Sequence, residues 1–280
     1  ITGYALGQSL IAILLSLNVF HEFKTESYIS FDFLRYFKEH KVLVFVGLFY
    51  YLGIWIDKFV FWFGPLGENV LGLFYTNQYY DTAMFIAYLS IVPSLAVFLV
   101  QVETNFYKAY SFYYNSIDNK SNLNVLNENI DDIIKSIQAG LYNLMKIQVG
   151  ITLICWYFAE EILDFMYLPA MMLTMFKYGV IGAFLQVLFL IINIILLYFL
   201  DHKKVLLHYF LFFLLNGVFS YISTFFDFRY HGIGYLLSCL IIFFLSFMAL
   251  NKHLSHINFF TFMGQPLSLI HISEPTRRTP

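Results

Sequence analysis

The sequence predicts an all-α protein, a polytopic membrane helix bundle of about seven transmembrane helices. Three observations point there. Of 280 residues, 60% are hydrophobic and only 12% charged, with a mean hydropathy of +0.69. A soluble globular domain is nearer half apolar and about a quarter charged. Apolar runs close to about twenty residues long recur along the chain, the length a helix needs to cross hydrocarbon. Finally, the connections between those runs alternate between rich and poor in Lys and Arg.

Seven spans are read at 2–20, 42–63, 82–101, 146–162, 178–200, 205–226 and 233–250. The chain opens at Ile1 rather than Met, and no signal peptide precedes the first run, which reads as a fragment lacking an amino-terminal part. The loop after the first span carries Lys24, Arg35, Lys38 and Lys41, and the next, from Gly64 to Asp81, carries none. The third connection has Lys108, Lys120 and Lys135, with Lys146 at its edge, and the fourth only Lys177. Lys203 and Lys204 follow the fifth span, Arg229 the sixth and Lys252 the last. By the positive-inside rule the first span runs from outside to inside and the carboxyl terminus is cytoplasmic.

The second span, KVLVFVGLFYYLGIWIDKFVFWFG, is the most informative. From Val42 to Phe63 a helix would reach roughly 33 Å, yet it carries Asp57 and Lys58 inside the run. Charge at such a position is costly, and by default it is a functional-site hypothesis. Trp55, Phe59, Phe61, Trp62 and Phe63 crowd the far end, as at a membrane–water interface. Tyr50, Gly53 and Asp57 fall on one face. Neighbours in sequence lie about 100° apart, so Asp57 and Lys58 are not expected to pair ideally, and Lys58 is expected to snorkel outward. The pair serves either as a structural contact to other helices or as a cavity or coupling-ion site.

The third span carries Ser90, Ser94 and Gln101, with Pro93 as a kink and Glu103 at its cytoplasmic end. The helix is expected to continue through QVETNFYKAY. Residues 122–145 then place Leu126, Ile130, Ile133, Ile134, Ile137, Leu141 and Leu144 at helical spacing, an amphipathic cytoplasmic helix resting on the bundle or docking a partner. Gln148, Thr152 and Cys155 mark the fourth span. Glu160, Glu161 and Asp164 follow in an outer loop, as a solvated turn or as an acidic mouth suited to a cationic polymer. The fifth span carries Gly179, Gly182, Gln186 and Asn193, and the sixth His208, Asn216, Ser220 and Thr224. Each row shares one helix face. A single row is explained by helix–helix hydrogen bonds worth about 0.6 kcal/mol each. Rows on several helices together point to a common hydrated cavity, with Asp57, Lys58, Tyr50, Gln101, Glu103, Gln186, Asn193, His208 and Asn216 as its candidate wall.

Other classes find less support. No nucleotide-binding, zinc-protease or paired metal-ligand motif is present, so no enzyme, metal or cofactor is expected. The formal charge of −2 leaves no nucleic-acid footprint. Cys155 and Cys239 lie in apolar runs as small hydrophobes, Gly232-Ile-Gly234 fits a helix entry, and Lys252, His253 and His256 fit an interfacial anchor. The stretch PLSLIHISEPTRRTP changes character abruptly and resembles adaptor read-through, so 1–265 forms the bundle and 266–280 a non-native or disordered tail.

The segments FDFLRYFKEHKVLVFVGLFYYLGIWIDKFVFWF, FYTNQYYDTAMFIAYLSIVPSLAVFLVQVETNFYKAYSFYYNSI and FDFRYHGIGYLLS resemble the PelG family. Its members are inner-membrane exporters of the Pel exopolysaccharide, within the multidrug/oligosaccharidyl-lipid/polysaccharide (MOP) flippase superfamily. The resemblance covers about residues 1–265. It implies a fold of twelve or more helices in two halves around a cavity, of which this chain would hold the second half. It also implies a bacterial inner-membrane location, a polysaccharide substrate, and as partners other Pel-type membrane proteins, a cytoplasmic glycosyltransferase and a cyclic-di-GMP receptor. No catalytic residues carry over. Rivals are a flippase for lipid-linked oligosaccharides, a cation-coupled drug antiporter, a membrane glycosyltransferase, for which no loop is long enough, and a scaffold, which predicts polar rows packed shut.

Overall fold

In a computed structural model of the chain, residues 2–22, 33–99 and 104–264 are described. Gln101, Glu103, Lys24 and the tail at 266–280 lie outside them. Contacts divide the chain into two units, residues 1–44 and 45–280. The first contains α1 (Thr2–Glu22) and α2 (Phe33–Glu39), where Arg35 donates to Glu39 at 2.8 Å one turn away. The apolar side chains of α1, Leu6, Leu10 and Leu14 among them, are exposed.

The second unit opens with α3 (Lys41–Trp62), which begins in the first. Its buried residues Val46, Gly53, Asp57 and Phe61 form one stripe, as spacings of seven and four dictate. A hairpin of β1 (Glu68–Leu71) and β2 (Phe74–Thr76) follows, turning at Gly72 with φ +59°. Its apolar side chains give no helical period, and a left-handed glycine suits the turn. Asn77 caps α4 (Gln78–Leu89) by accepting from the Tyr80 amide at 3.1 Å and donates to the Phe61 carbonyl at 3.3 Å. One Asp81 oxygen accepts from Trp62 Nε1 (2.8 Å), Thr76 Oγ1 (3.0 Å) and the Asn77 amide (3.2 Å). The hairpin is thereby fastened at both ends.

Pro93 acts as expected. Its ring and missing N–H interrupt the helix at Ser90–Ile91, so the third span is α4 followed by α5 (Val92–Val97). Then come α6 (Thr104–Asp118) and α7 (Leu123–Tyr157), capped by Asn122. Here the expected division fails. The amphipathic segment and the fourth span are one helix of 35 residues, since nothing between Leu144 and Lys146 breaks it. It stops at Phe158 rather than 162, and α8 (Ala159–Phe165) follows. Glu160 and Glu161 therefore lie in the first turn of a helix, where a carboxylate opposes the positive dipole end, rather than in a loop.

The last elements are α9 (Leu173–Tyr198), α10 (His202–Ser223), α11 (Ile233–Leu254) and α12 (Ile257–Gly264). Among the described residues, five helical segments are long and apolar enough to cross a membrane: Lys41–Trp62, Gln78–Val97, Ala170–Tyr198, His202–Ser223 and Phe228–Leu254. The apolar part of α1, Leu6–Glu22, is shorter, and the end of α7 is not such a segment by itself. The all-α polytopic bundle stands, with a small hairpin added and five segments of full spanning length among the described residues.

Packing centres on α9, which touches α4, α7, α8, α10 and α11. It is apolar almost all round, as a helix enclosed by others must be. Gly182 lets the Tyr235 ring lie against its backbone: a Cβ there would come within 2.3 Å of Tyr235 Cε1. At Gly234 the neighbour is backbone, with Phe219 and Ser220 atoms 2.5 Å from where a Cβ would be. Backbone cannot rotate away. Gly234→Ala should therefore force α10 and α11 apart and cost about 1–3 kcal/mol, seen as a lower thermal midpoint in detergent. Gly150→Ala, with nothing within 4 Å, should leave that midpoint unchanged or slightly higher.

Candidate functional site

The α3 stripe delivers Asp57 into the bundle, where it is 0% exposed. Tyr80 of α4 donates its hydroxyl to Asp57 Oδ2 at 2.7 Å. Lys58 folds back on the same group, with Nζ 3.3 and 3.4 Å from the two carboxylate oxygens and 2.8 Å from the Ile54 carbonyl. The sequence neighbours thus do pair, and Lys58 does not snorkel outward. Its flexible stem brings a poorly hydrated ammonium to the nearest acceptors, because leaving either charge alone in hydrocarbon would cost more. The ammonium also lies 5.1 Å over the Tyr88 ring, a cation–π contact.

Around this pair the helices place further hydroxyls. Tyr88 stands edge-on to Tyr235 of α11 with ring centres 5.9 Å apart. Tyr235 donates to Gln186 Oε1 of α9 at 2.5 Å, and Gln186 also interacts with the Tyr50 hydroxyl. The Tyr88 hydroxyl is buried on the side of Tyr235. Asp57, Lys58, Tyr50 and Gln186 are therefore brought together as one cluster joining α3, α4, α9 and α11.

The other candidates belong to separate knots. Asn193 of α9 donates to Ser246 of α11 at 2.9 Å and accepts at 2.7 Å from Nδ1 of His208 on α10, in the tautomer that carries hydrogen there. Asn216 of α10 donates to the Gly53 carbonyl of α3 at 2.8 Å and accepts from Ser220 at 3.2 Å. Ser94 donates to Gln148 of α7, which donates onward to the Ser90 carbonyl exposed by the break before Pro93. Glu160, Glu161 and Asp164 are exposed on α8. Thr224 is half-buried at the end of α10, and its hydroxyl returns to the Tyr221 carbonyl.

Among the described residues these rows bond helix to helix. Of five clefts of about 160–680 Å³ among the described residues, one is bordered by Thr224 and the other four by side chains outside these rows. The polar rows pack shut, because glycines and serines let helices approach until side chains bond each other directly. Nor do three His, Cys, Asp or Glu side chains converge on a metal position among the described residues.

Three participants, Tyr80, Tyr88 and Tyr235, are absent from the sequence-derived set. Tyr80 and Tyr88 share a face of α4, and both precede or follow polar positions already singled out. In a chain with 22 tyrosines and 34 phenylalanines, that signal is drowned.

The PelG family, described as "Putative exopolysaccharide Exporter (EPS-E)", matches residues 1–262. The chain belongs to the PelG family. No curated protein and no solved structure matches it. Membership places the buried Asp57 pair in a membrane protein of an exopolysaccharide-exporter family rather than of an enzyme family.

Removing one partner of a buried pair leaves the other charge uncompensated. Lys58→Met should destabilise this PelG-family protein by about 3–5 kcal/mol. Lys58→Met with Asp57→Asn should recover most of that loss, as read from thermal midpoints of the single and double variants.

Proposed function

We propose that this PelG-family chain forms part of the wall of a polysaccharide-export path across the bacterial inner membrane. It would be multi-pass with a cytoplasmic carboxyl terminus, beside other Pel-type membrane proteins and a cytoplasmic glycosyltransferase. The observation that carries the proposal is the fully buried Asp57 carboxylate in a spanning helix, paired with Lys58 and ringed by tyrosines. A passive anchor has no use for two ions whose desolvation costs several kcal/mol each. A transporter does, because hydrating the pair favours an open conformation while mutual neutralisation favours the shut one.

In this scheme the described arrangement is the shut state. Separating α3 from α4 and α11 would break the Tyr80–Asp57 bond and uncover the hydroxyls of Tyr80, Tyr88, Tyr235 and Tyr50. Tyrosine combines an apolar face with a hydrogen-bonding tip, a combination that suits sugar rings. The exposed acids of α8, Glu160, Glu161 and Asp164, would favour a cationic polymer at the outer mouth. Alternating access and a conduit fed by the synthase are both compatible with such an opening.

The packed polar rows specifically favour a second reading, a non-transporting scaffold subunit. One experiment separates the two. Asp57→Asn combined with Lys58→Met removes both charges together and leaves an amide oxygen for the Tyr80 hydroxyl, so the protein should accumulate normally. Export predicts that secreted polymer from cells carrying the full-length variant falls at least about ten-fold, the equivalent of losing one strong ionic interaction. Undiminished secretion at normal protein level leaves the scaffold.

A further inference from the structure

Away from the Asp57 cluster, the turn between α9 and α10 forms one wall of a cleft of about 680 Å³. Tyr114, Phe199 and Phe260 give it aromatic sides, and Asp201, Lys203, Lys204 and His253 give it charge. The turn is tight and strained. Leu200 is held at φ +60°, a left-handed conformation that side-chain-bearing residues seldom adopt, with its amide and that of Asp201 bonded back to Leu197 and Leu196. This fixes His202, Lys203 and Lys204 as the first turn of α10, and no side chain caps it. Cations in a first turn oppose the helix dipole, and the amide hydrogens there have no intrahelical partner.

Asp201 offsets only part of this charge. Burial alone would push its carboxyl up, but the facing His253 and Lys204 hold it down at about 2, so it stays ionised. It contacts Lys204, and Nδ1 of His253 lies 3.4 Å from its Oδ2. The His253 ring is 4% exposed, clasped between Phe199 and Phe260 with centroids 4.8 and 4.7 Å away. Its Nδ1 faces Asp201 and no other hydrogen-bond partner among the described residues. An exposed Lys203, the Lys204–Asp201 pair and the first amides of α10 thus face one aromatic-walled cleft.

We propose that this cleft binds the phosphate of an anionic phospholipid headgroup. Lys203, Lys204 and the first amides of α10 would hold the phosphate, and Phe199 and Phe260 would contact glycerol and acyl carbons. The lipid source is favoured over a soluble phosphate because the cleft joins the ends of two spanning helices, where headgroups lie.

The test is native mass spectrometry of the full chain with phosphatidylglycerol, phosphatidylcholine or inorganic phosphate. Phosphatidylglycerol should be retained in preference to phosphatidylcholine, and Lys203→Gln with Lys204→Gln should weaken it roughly 30-fold. Lys203→Gln alone, which leaves the Lys204–Asp201 contact intact, should weaken it by about five-fold and controls for misfolding. Equal retention of both lipids, or unchanged retention in both variants, overturns the proposal. So does displacement of the lipid by millimolar inorganic phosphate that binds by itself, which would assign the cleft to a soluble anion.

Discussion

Hydrocarbon offers no water to bond with, so every polar group carried into the membrane must be satisfied inside the protein. Most of the packing follows from that constraint. α9 is apolar on nearly every side and occupies the centre, and its two side-chain amides each reach another helix: Gln186 to Tyr235 and Asn193 to His208 and Ser246. Asn216 ties α10 to the Gly53 carbonyl of α3, and Gln148 ties α7 to the serines around the Pro93 break. These bonds are individually modest, about 0.6 kcal/mol. They act together as a set of register pins between helices that otherwise slide on apolar surfaces.

Asp57 and Lys58 differ from those pins in kind. A neutral amide could replace either at far lower desolvation cost, yet the chain carries two full charges side by side on one helix and must fold a lysine back to quench them. The Tyr80 hydroxyl and Tyr88 ring complete the neutralisation from α4. A cluster so assembled is held by partners on a separate helix, so it is stable only while α3 and α4 stay together. That dependence links the electrostatics of one carboxylate to the conformation of the bundle, and it is why the pair is a better candidate for the export path than the neutral knots.

Long, strongly apolar elements were legible in the sequence. α3, α10 and α11 begin and end within four residues of the expected spans, and α9 within five, because an apolar run of membrane length leaves few alternatives. The Pro93 break was legible for a mechanical reason, a missing N–H. What failed depended on tertiary context. Nothing local marks where α7 passes from amphipathic surface to bundle, so its continuity was hidden, and the Gly72 hairpin is set by the Asp81 clamp as much as by its own residues. At the site, Asp57, Tyr50 and Gln186 were readable as polar positions on buried faces. That Lys58 turns inward, and that Tyr80, Tyr88 and Tyr235 surround the pair, depends on how helices cross, which no single-helix period encodes.

Cys239 offers a native probe of whether the cluster opens, since it is fully buried on α11 one turn after Tyr235. In a Cys155→Ser background, the rate at which a water-soluble maleimide labels Cys239 should be very low in cells making no polymer and should rise at least about ten-fold when synthesis is switched on, a difference of roughly 1.4 kcal/mol in the opening equilibrium. Labelling that stays equally slow during active secretion would mean the cluster never admits water, and the assignment of Asp57 to an export path would be wrong.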